Sequence, residues 1–235
     1  SIWAEKCRMM GEPFPGPYRF KWTPWCKEMI NTNFEDCVGQ KSAQAGFTEC
    51  MLNRAFFTLD QLKRSVLYIL PASKPDASDF TQSRFNPALE LSEHLSSMFS
   101  STDNIGLKRS GECCLYIRGS RSRNQLKSLP VGTVIADEVD EMDQEAINLA
   151  YERLSGHLEK QFWKISTPSI PNYGINLYFE NSTKEQFTFK CPHCSRMTAF
   201  TFPECLVITA EDERDVNVRN SYYKCKECHV QITQE

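Results

Sequence analysis

Short runs of β-branched and aromatic residues alternate along the chain with longer segments of helical periodicity. The apolar runs that predict buried strands cover residues 65–70, 112–118, 133–138 and 161–165. The segments with apolar residues three or four positions apart, which predict helices, cover residues 48–62, 79–98 with a break at Pro87, and 144–158. Because continuous apolar runs are typical of strands covered on both faces, the pattern predicts an α/β fold with a mostly parallel, doubly wound sheet.

The first 40 residues are rich in proline and aromatic residues, which favours an extended segment lying over the body of the domain. Thr23 and Pro24 then match the N-cap and first position of a helix through Met29. An aromatic residue or Arg19 in this region could stack on an adenine ring. Packing of surface aromatic residues explains the same pattern.

A loop between residues 40 and 49 resembles the phosphate-binding pattern G-x-x-x-x-G-K-[ST] (Walker A) with its cation displaced. Phe47 stands where the lysine is expected, and Lys41 stands where the first glycine is expected. A lysine at the start of the loop can reach back over the same phosphates. The predicted nucleotide-binding residues of the loop are Lys41, Ser42, Ala43, Gln44, Ala45, Gly46, Phe47 and Thr48. By itself, a turn of this composition before a helix is more often only an ordinary helix start.

The strand predicted at residues 133–138 ends in two acidic residues, as a Walker B strand does. Because the carboxyl ends of parallel strands face the ligand crevice, Asp137 is placed to hold Mg²⁺ and Glu138 to orient the attacking water. The alternative is an ordinary strand followed by an acidic turn, since Asp140, Glu141 and Asp143 continue the charge run. The loop and the acidic strand in this order together predict a nucleotide site.

Two further segments could contact phosphates. Ser166 and Thr167 follow a predicted strand and are positioned to sense a γ-phosphate, or they form a plain strand-ending turn. The most basic cluster lies between Arg118 and Lys127 and includes Arg121 and Arg123. It could contact nucleic acid or a neighbouring subunit, or be a solvated loop.

The C-terminal region contains two Cys-x-x-Cys pairs about thirty residues apart, which predict a structural Zn²⁺ site. The predicted ligands are Cys191, Cys194, Cys225 and Cys228. A closed four-thiolate site leaves no open position for catalysis, so the metal would hold a small zinc ribbon together. His193 and His229 are interpreted as bystanders. The other seven of the 11 cysteines are scattered, which favours a reducing compartment over a disulfide scaffold.

Composition and charge restrict the function further. The 235 residues suffice for one large domain and a small appendage. A net charge of −3 argues against a constitutive nonspecific nucleic-acid binder but permits a local basic groove. The sequence contains no apolar run of membrane-spanning length and no signal-peptide pattern at its start.

Several separated segments together resemble the ATPase part of the lambda-type large terminase subunit of tailed bacteriophages. They are residues 23–25, 41–48, 135–141, 166–168 and 191–194. The resemblance covers nearly the whole chain, and the displaced lysine is its most specific mark. It implies an ASCE-type P-loop NTPase fold in which ATP hydrolysis drives double-stranded DNA into a procapsid.

The resemblance also implies roles for individual residues. Lys41, Gly46 and Thr48 match the family's phosphate loop, Asp137 its metal-binding acid and Glu138 its catalytic glutamate. Residues 166–168 match its coupling motif. An arginine finger is expected in cis or from a neighbour, and the candidates are Arg84, Arg121 and Arg153. The adenine contact is open among Tyr18, Arg19 and Trp25.

The expected organisation is an N-terminal segment at residues 1–40, an ATPase core at 41–185 and a zinc ribbon at 186–235. The family's C-terminal nuclease domain is missing from this sequence, so we expect a fragment that hydrolyses ATP and does not cut DNA. The implied partners are double-stranded DNA, the small terminase subunit, the portal and procapsid, and further copies in a ring. The implied location is the host cytoplasm, with no membrane partner.

Two alternatives stay open at the level of sequence. A helicase-like DNA-translocating ATPase uses the same two motifs, although the chain is short for a second motor domain. A nucleotide-binding scaffold that no longer hydrolyses, with a zinc-ribbon interaction module, is favoured by Phe47 in the lysine position. The intact pair Asp137 and Glu138 argues against the scaffold.

Overall fold

The computed structural model describes residues 1–99, 106–127 and 129–232. The chain forms two compact units, Ser1–Thr183 and Lys184–Glu235. The zinc ribbon expected at residues 186–235 therefore includes three final residues, 233–235, that lie outside the described residues. No helix in the described part of the chain is long and apolar enough to cross a membrane.

The N-terminal segment is folded more regularly than its composition predicts. It contains helix α1 (Ile2–Cys7), an antiparallel hairpin of β1 (Met9–Met10) and β2 (Gly16–Pro17), and helix α2 (Cys26–Asn31). The expected extended conformation is wrong for α1, because the prolines begin only at Pro13 and leave the first residues free to form a helix. Helix α2 confirms the predicted helix, although it begins two residues after Pro24.

A six-stranded sheet forms the centre of the first unit. Its strands are β3 (Asp36–Gln40), β4 (Val66–Leu70), β5 (Leu107–Ser110), β6 (Cys113–Gly119), β7 (Thr133–Asp137) and β8 (Gln161–Ser166). Their order across the sheet is β3-β8-β7-β4-β6-β5, and only β5 runs antiparallel to its neighbour. The predicted mostly parallel α/β sheet is confirmed. The edge strand β5 was not predicted, because its sequence Leu-Lys-Arg-Ser has no apolar run.

Helices cover the sheet on both faces. They are α3 (Phe47–Asp60), α4 (Ser78–Phe80), α5 (Asn86–Leu91), α6 (Glu93–Met98), α7 (Arg123–Leu126), α8 (Gln144–Tyr151) and α9 (Gly174–Glu180). Shorter helical turns lie at Ser73–Ala77, Thr81–Phe85, Val139–Glu141, Glu152–Leu154 and Val216–Asn220.

Two predicted helix boundaries are wrong. The break expected at Pro87 falls at Ser92, whose backbone is extended, while Pro87 lies in the first turn of α5. Proline fits the first helical turn because its missing N–H has no intrahelical partner there. Helix α8 ends at Tyr151 and is followed by one 3₁₀ turn, so it is shorter than predicted, and Gly156 beyond the turn disfavours continuation.

Strand β4 shows how the sheet separates two hydrophobic cores. Val66, Tyr68 and Leu70 belong to the core shared with α3, whereas Leu67 and Ile69 belong to the core shared with α8. All five residues are buried. Burial of alternate residues on opposite faces explains why the sequence of β4 is apolar throughout.

The second unit consists of short antiparallel strands. They are β9 (Phe189–Lys190), β10 (Met197–Thr198), β11 (Leu206–Val207), β12 (Tyr222–Lys224) and β13 (Gln231–Ile232). Strands β9 and β10 pair as a hairpin, and β11, β12 and β13 form a three-stranded sheet. Phe200 packs between Phe189 and Tyr223, with ring centroids 4.7 and 4.8 Å away.

Candidate nucleotide site

The order of the sheet brings three predicted segments to one edge. Strands β3, β8 and β7 are parallel neighbours, with β8 between the other two. Their carboxyl ends carry the loop that begins at Lys41, the pair Ser166 and Thr167, and the pair Asp137 and Glu138. Segments more than 120 residues apart in sequence therefore meet where ligands bind in open α/β sheets.

The loop between β3 and α3 has the local geometry of a tight strand-to-helix turn. Gly46 is the N-cap of α3 and has a positive φ of 77°. A Cβ atom at this position would lie 2.5 Å from Thr23 Cγ2, so only glycine fits. The indole Nε1 of Trp25 donates a hydrogen bond of 2.8 Å to the carbonyl of Ala45. The segment around Thr23 and Trp25 thus holds the loop in place.

The loop residues divide into exposed and half-buried positions. Ser42, Ala43 and Gln44 are exposed at its tip, and Gln44 also has a positive φ of 58°. Thr48 is half-buried in the first turn of α3. The first-turn N–H groups of a helix lack intrahelical partners, and together with the helix dipole they favour an anion at this end.

Phe47 occupies the usual lysine position for a packing reason. Its ring lies against Gly39 of β3, where an added Cβ would be only 3.0 Å from the ring, and it packs on the main hydrophobic core. The side chain therefore anchors the start of α3 to the sheet. A cation for the phosphates has to come from another position.

Lys41 supplies a cation at the centre of the site. Its Nζ lies 2.6 Å from Glu138 Oε1 and 3.5 Å from Thr167 Oγ1. Only 8% of the residue is exposed, and its backbone N–H donates to the carbonyl of Ser166 at 3.0 Å. The buried ammonium group is thus directed toward the acidic end of β7.

Asp137 is buried and only partly satisfied. The hydroxyl of Tyr68 donates a hydrogen bond of 2.8 Å to Oδ2, whereas Oδ1 has no hydrogen-bond partner among the described residues. Burial raises the pKa of Asp137 to about 6, although the hydrogen bond from Tyr68 and the nearby hydroxyl of Thr48 act in the opposite direction. An unpaired buried carboxylate oxygen near a threonine hydroxyl fits a hard divalent cation such as Mg²⁺.

Sequence reasoning missed Tyr68. The residue is fully buried in β4, and Phe80 stacks on its ring with centroids 4.6 Å apart. Its only signal in the sequence is a hydroxyl inside an otherwise apolar strand, which also suits an ordinary core tyrosine.

Ser166 connects the acidic residues to the end of β8. Its single hydroxyl proton has two acceptors within reach, the Thr167 carbonyl at 3.1 Å and Glu138 Oε2 at 3.4 Å, and its oxygen accepts a hydrogen bond of 3.2 Å from the backbone N–H of Asp140. Thr167 is exposed beside Lys41. The structure therefore brings both hydroxyls to the site where the sequence predicted them.

Among the arginine candidates, Arg84 lies near the loop. Its guanidinium contacts Glu49 Oε1 at 2.9 Å, and Glu49 also accepts a bond of 2.9 Å from the buried Arg8. Glu49 directly follows Thr48 in α3. Arg84 is therefore paired with the residue that follows Thr48, whose hydroxyl is a predicted Mg²⁺ ligand. The Arg84 side chain is 47% exposed.

The other two arginines lie in different places: Arg121 follows the carboxyl end of β6 and is on the same edge of the sheet, beyond β4, whereas Arg153 is not brought to this edge. Arg153 lines a polar cleft with Glu152 and Lys160, and Lys160 directly precedes β8 at the opposite edge. The structure thus contradicts a direct role for Arg153 within its own chain. Arg121 is exposed after β6.

The adenine candidates also differ in accessibility. Tyr18 is buried in the core, and Arg19 donates to the backbone carbonyls of Glu5 and Tyr18. Trp25 is 36% exposed beside the loop. Of the three, only Trp25 presents an aromatic ring next to the loop.

The four predicted metal-binding cysteines of the second unit form one cluster. All four sulfur atoms lie within 4.8 Å of one another, and the pairs Cys191–Cys228 and Cys194–Cys225 are 3.9 Å apart. Tetrahedral Zn²⁺ with bonds of about 2.3 Å places its sulfur ligands about 3.8 Å apart. The backbone N–H of Cys228 lowers the pKa of Cys225 to about 6, which favours the thiolate. The cluster therefore fits a tetrahedral metal ion.

The fold and this edge of the sheet define an α/β protein in which a strand-loop-helix turn faces the acidic end of a neighbouring parallel strand. The chain belongs to the family of phage terminase large subunit gpA ATPase domains, whose family model matches residues 12–235. Because the chain belongs to this family, its function is consistent with that of a DNA-packaging ATPase motor. No match was found among curated proteins.

Solved structures share the fold. The ATPase domain of the Thermus phage P74-26 large terminase has a TM-score of 0.54 at 15% identity, over 77% of this chain and 80% of that one. The large terminase of bacteriophage HK97 has a TM-score of 0.62 at 12% identity, over 78% of this chain and 40% of that one. At these identities the likeness extends to the fold alone.

Proposed function

We propose that the chain is the motor part of a viral DNA-packaging terminase and hydrolyses ATP to move double-stranded DNA into a procapsid. The main support is the meeting of Lys41, Asp137 and Glu138 at adjacent strand ends in a member of this family. A buried lysine beside two acids lowers the folding stability unless the pairing compensates for the lost hydration of each charge, so stability alone does not explain this arrangement.

In this proposal the loop and Lys41 bind the β- and γ-phosphates of ATP. Backbone N–H groups at the start of α3 donate hydrogen bonds to the phosphate oxygens, and Lys41 replaces the cation that Phe47 cannot supply. Thr48 and Asp137 would hold Mg²⁺, which supplies charge neutralisation for the phosphates when bound. Tyr68 holds Asp137 through Oδ2 and leaves Oδ1 for the ion or its water.

Glu138 acts on the attacking water, and Lys41 controls when it can do so. Lys41 Nζ lies 2.6 Å from the Glu138 carboxylate. A γ-phosphate competes for the same ammonium group, because it offers an anion with more charge. Binding of ATP then frees Glu138 to accept a hydrogen bond from water, with Ser166 holding its other oxygen.

An arginine completes the charge stabilisation of the transition state. Arg84 is a candidate within the chain, since Glu49 keeps it beside the start of α3. Arg153, at the opposite edge, could act only on a neighbouring copy in a ring, whereas Arg121, exposed at the carboxyl edge, could act on its own chain or on a neighbour. Trp25 is the candidate for adenine contact, because its ring lies beside the loop.

The four cysteines of the second unit would bind a structural Zn²⁺. With four protein ligands the site has no open position, so the ion would stabilise the unit and take no part in hydrolysis. This role suits a unit whose strands are only two or three residues long.

The remaining partners follow from the family. They are double-stranded DNA, the small terminase subunit, the portal and procapsid, and further copies of the chain, in the cytoplasm of the host. Arg118 to Lys127 is the candidate basic surface for DNA or for a neighbouring copy, although Arg123 is already paired with Asp143 and Glu145.

Turnover measurements at high protein concentration with Mg²⁺ test the proposal. Wild type should hydrolyse ATP, Glu138→Gln should bind ATP without turnover, and Glu141→Gln should behave as wild type. Glu141 is an exposed acid in the same segment and serves as the matched control. Equal turnover by wild type and Glu138→Gln would overturn the proposed role of Glu138. Nucleotide binding without turnover in wild type, even with DNA and procapsid added, would favour a scaffold.

A further inference from the structure

Asp140 is the centre of a hydrogen-bond network that the proposed hydrolytic steps do not use. Its Oδ2 accepts bonds of 2.7 Å from both the backbone N–H and the hydroxyl of Ser169. Its Oδ1 accepts a bond of 2.7 Å from the backbone N–H of Ile175, in the first turn of α9. One half-buried carboxylate thus holds both ends of the segment between β8 and α9.

The same residue is connected to the hydrolytic glutamate. The Asp140 backbone N–H donates to Ser166 Oγ at 3.2 Å, and Ser166 Oγ lies 3.4 Å from Glu138 Oε2. A continuous chain of polar contacts therefore runs from Glu138 through Ser166 and Asp140 to Ile175. Glu138 itself has a left-handed backbone, with φ of 66°, so this turn is tightly constrained.

Helix α9 is seated closely on Asp140. Gly174 begins the helix with φ of 50°, and an added Cβ would collide with the Asp140 carboxylate. On its other side, Asn176 Nδ2 donates to Gln40 Oε1 at 3.2 Å, and Gln40 directly precedes Lys41. Helix α9 thus touches the strand ends that carry both members of the Lys41–Glu138 pair.

Without Asp140 the intervening segment has few other attachments. Residues 167–173 are all exposed. Hydrogen bonds to a charged acceptor are among the stronger ones, and three of them converge on this carboxylate. The contacts of Asp140 therefore connect this exposed segment and the start of α9 to the turn that follows β7.

We propose that Asp140 is a positioning residue that transmits the nucleotide state of Glu138 to helix α9. This inference rests on the proposed function, since it takes the Lys41–Glu138 pair as the contact that ATP opens. When Lys41 turns to the γ-phosphate, Glu138 and Ser166 readjust, and Asp140 carries the change to Ile175. Helix α9 ends at Glu180, shortly before the second unit begins at Lys184, so the response reaches the segment joining the two units.

Hydrogen exchange of the α9 amides, with and without a non-hydrolysable ATP analogue and Mg²⁺, tests the inference. In wild type the analogue should change the exchange rate of the Ile175 amide by roughly tenfold, the scale of one hydrogen bond to a charged group. In Asp140→Ala the difference between free and bound protein should vanish, while the dissociation constant of the analogue stays within about threefold of wild type.

Further variants separate transmission from simple folding. Asp140→Asn keeps the size but has only one acceptor oxygen, so its NH₂ group must face the donors of either Ser169 or Ile175, and it should also lose the response. Ser169→Ala removes only the hydroxyl bond and should keep it. Glu141→Gln removes a nearby charge without touching the network and should respond as wild type.

Several outcomes would overturn the inference. One is that the analogue changes the exchange rates of the α9 amides as much in both Asp140 variants as in wild type. Another is that the analogue binds wild type without changing these exchange rates. Loss of analogue binding in Asp140→Asn would reduce Asp140 to a folding residue. If wild type binds no nucleotide, the proposed function itself fails. The binding measurement shows this failure directly and separates it from a failure of the inference about Asp140.

Discussion

The contact between Lys41 and Glu138 predicts that removing the catalytic charge strengthens ATP binding. In wild type the ammonium group must leave Glu138 Oε1, 2.6 Å away, before it can bind a phosphate. Glu138→Gln keeps the shape of the side chain and replaces a charged acceptor by a neutral one. The cost of releasing Lys41 then falls, so ATP should bind more tightly although hydrolysis stops.

The size of the effect follows from the two kinds of hydrogen bond. A bond to a charged group contributes about 1.5–3 kcal/mol and a neutral one about 0.5–1.5 kcal/mol. The Glu138 side chain is 36% exposed, so solvent screening argues for the lower end of the difference, about 1 kcal/mol. This corresponds to roughly fivefold tighter binding.

Equilibrium titration with ATP and Mg²⁺ on the non-hydrolysing variant, and with a non-hydrolysable analogue on both proteins, measures the difference. Glu141→Gln is the control, since it removes one exposed negative charge near the triphosphate without touching Lys41. Equal tightening in both variants would mean a general charge effect. Unchanged or weaker binding in Glu138→Gln would refute the competition for Lys41.

Three further predictions concern separate parts of the molecule. Tyr68→Phe leaves the buried Asp137 carboxylate without its 2.8 Å donor, so Mg²⁺-dependent nucleotide binding should weaken. Burial raises the pKa of Asp137 to about 6, so at subsaturating Mg²⁺, where the ion competes with the proton for this carboxylate, hydrolysis should rise with pH through this region. Because Tyr68 stabilises the charged form, the rise in the pH-rate profile should move to higher pH in Tyr68→Phe. Phe47→Lys, which restores the usual pattern, should lower the melting temperature because the ring leaves its contact with Gly39, and it should not rescue hydrolysis in Lys41→Ala. Cys191→Ser should abolish stoichiometric zinc in metal analysis while nucleotide binding persists, and loss of both would show that the first unit depends on the second.

The parts of the site that could be predicted are those whose functional residues lie close together in a short segment of the sequence. The loop at residues 41–48 and the acids at the end of β7 each lie next to a strong strand or helix pattern, so their placement at the sheet edge followed from parallel topology. The strand order then placed Ser166 beside Glu138, as the sequence predicted.

The parts that could not be predicted depend on contacts between distant residues. Tyr68 and Asp140 carry no local signal, because a tyrosine in a core strand and an acid in an acidic turn are both ordinary. Their roles appear only when β4 lies beside β7 and when α9 packs on the end of β3. Strand β5 is polar and forms because it pairs with β6. The strand propensity of its own residues does not predict this tertiary contact.

In the proposed ATP-hydrolysing site, Lys41 provides the phosphate-binding cation. The most direct measurement is steady-state hydrolysis of ATP with Mg²⁺ by wild type, Lys41→Ala and Lys27→Ala, where Lys27 is an exposed lysine of α2 and serves as the matched control. We expect turnover in wild type and Lys27→Ala and at least a hundredfold loss in Lys41→Ala, about 2.7 kcal/mol of transition-state stabilisation. Undiminished hydrolysis by Lys41→Ala would contradict this role of Lys41.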